Sequence, residues 1–298
     1  MSTPNRAPVF VLGVHRSGTT WLTQSLARRG ACHPFTVRHL LSAVEHKVHT
    51  LRSTTERLHA AGVRTRPGDD LTVEPTTSEE YGYLLALESG SSRTTARSVA
   101  TLRDTIAMLQ RERPNHAPLL RNPWDYAATH KLAQWFPDAH FVFVHRDPVA
   151  TVGSAVEMFQ AFWREPHPYG LLMSPRYRRA WKRSWQRTMF QAAARRPHFV
   201  ARLVAAGTAL AHRAHLTDAS GLDPTRTTHV RYNDLIADPA RRVDAVLERL
   251  GIPTDGAPPD FARTRSRSGR SWLQPLESSL LRRTARYRHQ RALQPTTD

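Results

Sequence analysis

The stretch VFVLGVHRSGTTWL, Val9 to Leu22, decides how the chain is read. An apolar run, Val9 to Leu12, meets Gly13, and a second glycine, Gly18, leads into Thr19-Thr20-Trp21-Leu22. A short apolar run closed by glycine is strand-like, and residues 18–29 follow as a helix. A strand that turns straight into a helix presents N–H groups without intrahelical partners, and such a terminus receives an anion. Gly13 permits the tight turn and Gly18 lets backbone approach a phosphate closely. Ser17, Thr19 and Thr20 add hydroxyl donors. Loops that bind a nucleoside triphosphate place lysine directly after the last glycine. Here Thr19 stands there, and the charge lies earlier, at Arg16, whose planar guanidinium can fork onto phosphate or sulfate oxygens.

Outward from this loop, the same grammar returns. "APLLR" (117–121), "HFVFVHR" (140–146) and "THVRY" (228–232) read as strands, with helices over 125–136, 149–162 and 238–251. Pro148 suits the first turn of the helix that follows the 140–146 strand. Residues 37–65 carry a mostly helical pattern ended by Pro67-Gly68, and 79–89 and 98–112 read as further helices. Residues 164–176, rich in Pro, Gly and His, read as a loop, and 177–195 and 199–216 as basic, aromatic helices. Apolar strands alternating with helices predict an α/β fold with a parallel sheet flanked by helices on both faces. The 298 residues suit one large domain, with 260–298 an Arg/Ser-rich, weakly patterned segment expected to be partly disordered.

Composition narrows the function classes. No apolar run approaches the ~18 residues of a membrane span. The N-terminus lacks the apolar core of a secretory signal. The one cysteine, Cys32, precludes an internal disulfide and fits a cytoplasmic setting. The formal net charge is +18, carried almost wholly by arginine, since Lys47, Lys131 and Lys182 are the only lysines. Such a field draws in polyanions, which keeps a nucleic-acid-binding protein open as an alternative. Neither zinc spacing nor a helix-turn-helix signature supports it, and no nucleic acid is expected.

A second anion site is legible in "FVFVHRDPVATVGSAVEMF" (141–159). Arg146 falls at the carboxyl end of a strand, where open α/β sheets bind ligands, and Ser154 lies within the following helix. Two anion sites at strand ends, without the triphosphate lysine, resemble the sulfotransferases that use 3′-phosphoadenosine 5′-phosphosulfate (PAPS). The resemblance rests on Arg16-Ser17-Gly18-Thr19-Thr20, on Arg146 with Ser154, on "LLRNPWDYAATHKLAQWFPDAHFVFVHRDP" (119–148) and on "VRYNDLIADPARRVDAVLERLGIP" (230–253). It implies a P-loop mononucleotide-binding fold, with helical insertions forming the acceptor side. It further implies that Arg16, Ser17, Gly18, Thr19 and Thr20 hold the 5′-phosphosulfate, that Arg146 and Ser154 hold the 3′-phosphate, that Tyr232 contacts adenine, and that Arg270, in "RSRSGRSW" (265–272), closes over the 3′-phosphate. A sulfuryl group carries less charge than a γ-phosphoryl, so neither a lysine clamp nor a metal is required. Arg16 also has a catalytic role, stabilising charge on the leaving oxygen.

Transfer to a hydroxyl of a small molecule, lipid or sugar calls for a general base. Glu80, in "PTTSEEYGYLL", ranks first, His39 second and Asp125 third. Arg121 stands where relatives carry lysine and is expected to donate toward the leaving side. Trp163, Tyr169, Trp181 and Trp185 are candidates for the acceptor pocket. A P-loop small-molecule kinase is the remaining alternative, and the absent lysine speaks against it.

Overall fold

The computed structural model describes residues 6–67, 71–257 and 271–293. Five parallel strands, β1 (Val9–Leu12), β2 (Cys32–Pro34), β3 (Ala117–Arg121), β4 (His140–His145) and β5 (Thr227–Arg231), form one sheet in the order β2-β3-β1-β4-β5. Val9 pairs with Leu119 on one side and His140 on the other. The central strands are buried on both faces, which is why they read as unbroken apolar runs rather than alternating ones. Phe10, Leu12, Leu120, Phe141 and Phe143 point into one core layer. Their strand neighbours Val9, Val11, Leu119, Val142 and Val144 point into the other, as the two-residue period of a strand requires.

Between the first strands run α1 (Thr19–Arg29), α2 (Val37–Val44), α3 (Leu51–Ala60), α4 (Tyr81–Glu88) and α5 (Val99–Glu112). After β3 comes α6 (Thr129–Trp135), and after β4 come α7 (Pro148–Trp163), α8 (Pro168–Met173), α9 (Pro175–Lys182), α10 (Ser184–Ala194) and α11 (Pro197–Asp218). The chain then forms α12 (Tyr232–Ala237), α13 (Pro239–Arg249), α14 (Gln274–Arg283) and α15 (Ala285–Leu293). α1 packs toward β2, β3 and α13, whereas α7 packs on α10, α11 and α14. The connections that leave the adjacent strands β1 and β4 therefore diverge, which opens a crevice at the carboxyl ends of the sheet where such folds bind ligands.

Three expectations need correction. The helical pattern over 37–65 is two helices, separated around His46, whose backbone is left-handed at φ 49°. The segment 164–176 holds α8, started by Pro168 at its first turn with His167 as the cap that accepts the Tyr169 amide. Edge strand β2 is missed because Cys-His-Pro has neither an apolar run nor an alternation. Within 260–298, residues 274–283 and 285–293 are helical; buried Leu280 and Tyr287 anchor them against the body of the protein.

Candidate active site

The loop after β1 is shaped by two backbone requirements. A Cβ at Gly13 would lie 2.4 Å from Ser17 Oγ and 2.8 Å from the Val144 carbonyl, so only glycine lets the loop fold back on β4. Gly18 has φ 104° and would drive a Cβ into the Tyr232 ring at 2.5 Å. Arg16 takes φ 72°, a left-handed conformation unfavourable for a residue with a Cβ. Such conformations persist where surrounding contacts over-determine them, and here they do. The Arg16 Nε donates to Ser154 Oγ at 3.0 Å, and Arg146 Nη1 donates to the Arg16 carbonyl at 2.8 Å. The Arg146 guanidinium lies over the Tyr232 ring, 4.3 Å from its centroid. Tyr232 opens α12 rather than ending β5, which turns its ring back onto both Gly18 and Arg146.

The loop thus draws Arg16, Arg146, Ser154 and Tyr232 from four elements into one cluster. Ser17 is fully buried, and its Oγ has no hydrogen-bond partner among the described residues. The first turn of α1 carries no acid, so no side chain of that turn competes with an anion for its N–H groups. Thr20 Oγ1 accepts from Arg66 Nη2 at 3.1 Å. Arg66, from the irregular chain before α4, brings a further guanidinium to the loop, and nothing in its sequence context signals this.

On the far side of the loop stands a carboxylate pair. Arg121, at the end of β3, is fully buried and donates to Glu80 Oε1 at 2.8 Å, Glu79 Oε1 at 3.2 Å and the Ser78 carbonyl at 3.0 Å. Its two Nη groups are engaged with Glu80, Glu79 and the Ser78 carbonyl, while its buried Nε has no hydrogen-bond partner among the described residues. The two glutamates differ in access: the Glu79 side chain is 2% exposed and that of Glu80 15%. Burial pushes Glu79 above the usual carboxylate range, although Arg66 and Arg121 pull the other way. His15, in the loop itself, is lowered by burial and by the neighbouring Arg121 and Arg16, and raised by Glu80. Its ring meets Trp124 edge-on at 4.7 Å. The glycine and hydroxyl pattern of the loop does not signal His15, which the fold places between Trp124 and the charges of Arg16, Arg121 and Glu80.

The family model for the sulfotransferase family matches residues 8–256. The chain belongs to the sulfotransferase family. Its fold is similar to that of sulfotransferase STF1 from Mycobacterium tuberculosis H37Rv, at 17% identity and a TM-score of 0.59 over 95% of this chain and 77% of that one. It is also similar to sulfotransferase STF9 from Mycobacterium avium, at 17% identity and a TM-score of 0.54 over 96% and 76% of the two chains. A sulfotransferase from Alicyclobacillus acidocaldarius aligns at 17% identity and a TM-score of 0.50 over 95% and 94%. No curated protein matches the chain. Family membership makes this an enzyme of sulfuryl transfer and favours neither a kinase nor a nucleic-acid-binding protein. Among the described residues, no helix is long and apolar enough to cross a membrane.

The other two candidate bases of this sulfotransferase carry hydrogen bonds of their own. His39 is the third residue of α2 and closes a capping box. Its Nδ1 accepts the Thr36 amide at 2.9 Å, which leaves the proton on Nε2, 3.1 Å from Glu112 Oε2. None of its described contacts is with the loop. Asp125 is buried and accepts from Tyr81 Oη at 2.6 Å, the Thr94 amide at 2.8 Å, Thr94 Oγ1 at 2.6 Å and Asn122 Nδ2 at 2.9 Å. It ties α4 and the chain before α5 to the turn that follows β3. Of the aromatic candidates, Trp163 and Tyr169 line a cavity beside α4, Trp181 stacks behind Trp163 at 5.9 Å, and Trp185 is 63% exposed. Arg270 lies outside the described residues.

Proposed function

We propose that the enzyme moves a sulfuryl group from PAPS to an acceptor hydroxyl, with Glu80 as the general base and no metal. The observation that carries this reading is the gathering of Arg16, Arg146, Ser154 and Tyr232 around Gly18. A nucleotide with phosphates at both its 3′ and 5′ positions needs two cationic sites and a flat surface close together, and these residues supply them. Arg16, Ser17, Gly18, Thr19 and Thr20 would hold the 5′ end, with the orphaned Ser17 hydroxyl as a ready donor. Arg146 and Ser154 would hold the 3′-phosphate, with Tyr232 beside the base. Arg270 remains part of the proposal as a further 3′-phosphate ligand. PAPS supplies an activated S–O bond to a phosphate leaving group.

The residues divide the remaining work. Arg16 and the first-turn amides of α1 are fixed before reaction, so they stabilise charge on the leaving oxygen without reorganising. Arg121 clamps the Glu80 carboxylate in one orientation through its 2.8 Å contact. Glu80, the more accessible of the pair, takes the acceptor proton. A cytoplasmic setting is part of the proposal: Cys32 is a buried thiol, pushed up to about 12 by burial, and the fold draws nothing from an oxidising compartment.

Thermal-shift titration separates this reading from a kinase. Adenosine 3′,5′-bisphosphate, the nucleotide product of transfer, is expected to raise the melting temperature, and ATP with magnesium to do so far less. A larger response to ATP–magnesium than to the bisphosphate would overturn the donor assignment.

A further inference from the structure

Most of the large apolar side chains that stay exposed among the described residues lie on two neighbouring helices. They are Trp185 and Met189 of α10 and Phe199, Leu203 and Leu210 of α11. Trp185 and Met189 stand four residues apart, on one face of their helix. Phe199, Leu203 and Leu210 fall within an arc of about 40°, at about 100° per helical residue. Leu203 is 59% exposed and Leu210 66%. A Cβ at Gly207, beside this stripe, would meet nothing within 4 Å, so no described part of the chain lies over it.

The stripe is not the core side of α11. That side carries Val200, Ala201 and Ala205, which pack with Val152 and Val156 of α7 and with Leu280 of α14. α10 packs on α7 as well, and α10 and α11 touch each other. Both helices therefore turn their exposed apolar faces away from α7, and the fold itself buries neither face.

The surroundings are strongly positive. Between Glu165 and Asp218 the chain has no acidic residue. Arg183 and Arg187 flank Trp185, Arg195 and Arg196 form the turn between the helices, and Arg202 and Arg213 stand on α11; all six are exposed. At the same helical angle per residue, Arg202 and Arg213 run along one edge of the stripe.

Contiguous exposed apolar surface marks a contact site, and the charge around it selects the partner. A second copy of the chain would bring the same arginines against Arg202 and Arg213, with no acid in the segment to answer them, and like charges brought together oppose association. Nucleic acid would pair with the arginines but leave Phe199, Leu203 and Leu210 unburied. An anionic bilayer takes both: headgroups pair with arginine, while Trp, Phe and Leu side chains sink to the boundary with the acyl chains. No described helix is long and apolar enough to cross a membrane, so such a contact lies in the plane of the surface.

We propose that the outer face of α10 and α11 docks the enzyme on an anionic lipid surface, with Trp185, Met189, Phe199, Leu203 and Leu210 entering the interface and the flanking arginines holding headgroups. The proposal is independent of the donor and base assignments, which use none of these residues.

Co-sedimentation of the full chain with vesicles of phosphatidylglycerol and of phosphatidylcholine tests it. Phosphatidylglycerol is expected to retain the chain and phosphatidylcholine to leave it in solution. Phe199→Gln, Leu203→Gln and Leu210→Gln together keep every charge and a good helix former at each position, and should weaken binding to phosphatidylglycerol at least about tenfold. Arg202→Gln with Arg213→Gln keeps the stripe and should weaken it about 5- to 30-fold. Both variants are expected to match the wild type in circular dichroism and melting temperature, because every changed position is exposed. A measurement on the wild type needs no multiple variant: lipids with brominated acyl chains should quench its tryptophan fluorescence, and Trp185→Phe should lose most of that quenching. Undiminished binding by the triple variant would overturn the proposal, because charge alone would then hold the chain to the vesicle; absence of quenching by the brominated lipid would overturn it too. A dimer seen by sedimentation velocity without lipid, and dissociated by the triple variant, would assign the face to a second copy instead.

Discussion

Ser17→Ala is expected to make the enzyme more stable and worse at binding its nucleotide. The hydroxyl of Ser17 is fully buried and unsatisfied in the described structure. A buried polar group without a partner costs roughly 1–3 kcal/mol, and alanine keeps the Cβ while removing the group that carries this cost. A gain of about 1 kcal/mol in unfolding free energy follows, equivalent to about 2 °C in melting temperature for a chain of this size. In the proposed function the same hydroxyl donates to phosphate once nucleotide is bound. A hydrogen bond to a charged group contributes about 1.5–3 kcal/mol, so its loss should weaken adenosine 3′,5′-bisphosphate binding roughly 10- to 150-fold. Urea unfolding without nucleotide measures the first effect and calorimetric titration the second. Destabilisation by about 1 kcal/mol or more, together with unchanged affinity, would show instead that Ser17 is satisfied within the protein and idle toward phosphate.

Glu80→Gln should cut turnover by roughly 10²–10⁴, the range for a general base, with bisphosphate affinity intact. Glu79→Gln should mainly lower the melting temperature, because it weakens the buried contact with Arg121; a larger turnover loss at Glu79 than at Glu80 would exchange their roles. Arg146→Ala removes the donor to the Arg16 carbonyl and the cation over Tyr232, and should weaken bisphosphate binding by roughly 1.5–3 kcal/mol, with less effect on the chemical step; equal affinity of mutant and wild type would sink the 3′-phosphate assignment. His15, His33 and His39 are held below the ordinary imidazole value of 6.5, chiefly by burial. The unfolded chain therefore binds more protons just below that pH, and stability should fall as pH drops from about 7 toward 5; a melting temperature that rises over this interval would contradict the assignment.

The fold was legible where burial leaves a periodic mark. β1, β3, β4 and β5 are apolar runs or alternations ended by glycine, arginine or tyrosine, and the helices after β1, β4 and β5 begin on recognisable glycine and proline signals. β2 is an edge strand held by three backbone pairings to β3, and Cys-His-Pro carries no pattern that registers this. α8 was obscured because Pro, Gly and His are loop residues by composition, although Pro168 and Gly170 both serve inside a helix here. Gly170 is there for close approach: a Cβ would meet the Tyr177 ring at 2.8 Å. In the site, spacing singled out Arg16, Arg146 and Ser154, since each sits at a strand end or within the helix that follows. Arg66 had no signal, because only the folding of an irregular segment brings it to Thr20. His39 and Asp125 carry contacts that residue order does not show: the Nδ1 of one serves a helix cap, and the carboxylate of the other accepts four hydrogen bonds.

The proposed function stands on sulfuryl transfer from PAPS through the loop at Arg16–Thr20. Its most direct measurement is mass spectrometry of a panel of phenols, alkyl alcohols, sugars and lipids incubated with enzyme and PAPS, alongside the Arg16→Ala variant. An acceptor is expected to gain the mass of one SO3 unit with stoichiometric release of adenosine 3′,5′-bisphosphate, and both are expected to be lost in the variant. Phosphoryl gain from ATP–magnesium in place of SO3, or undiminished sulfation by Arg16→Ala, would contradict it.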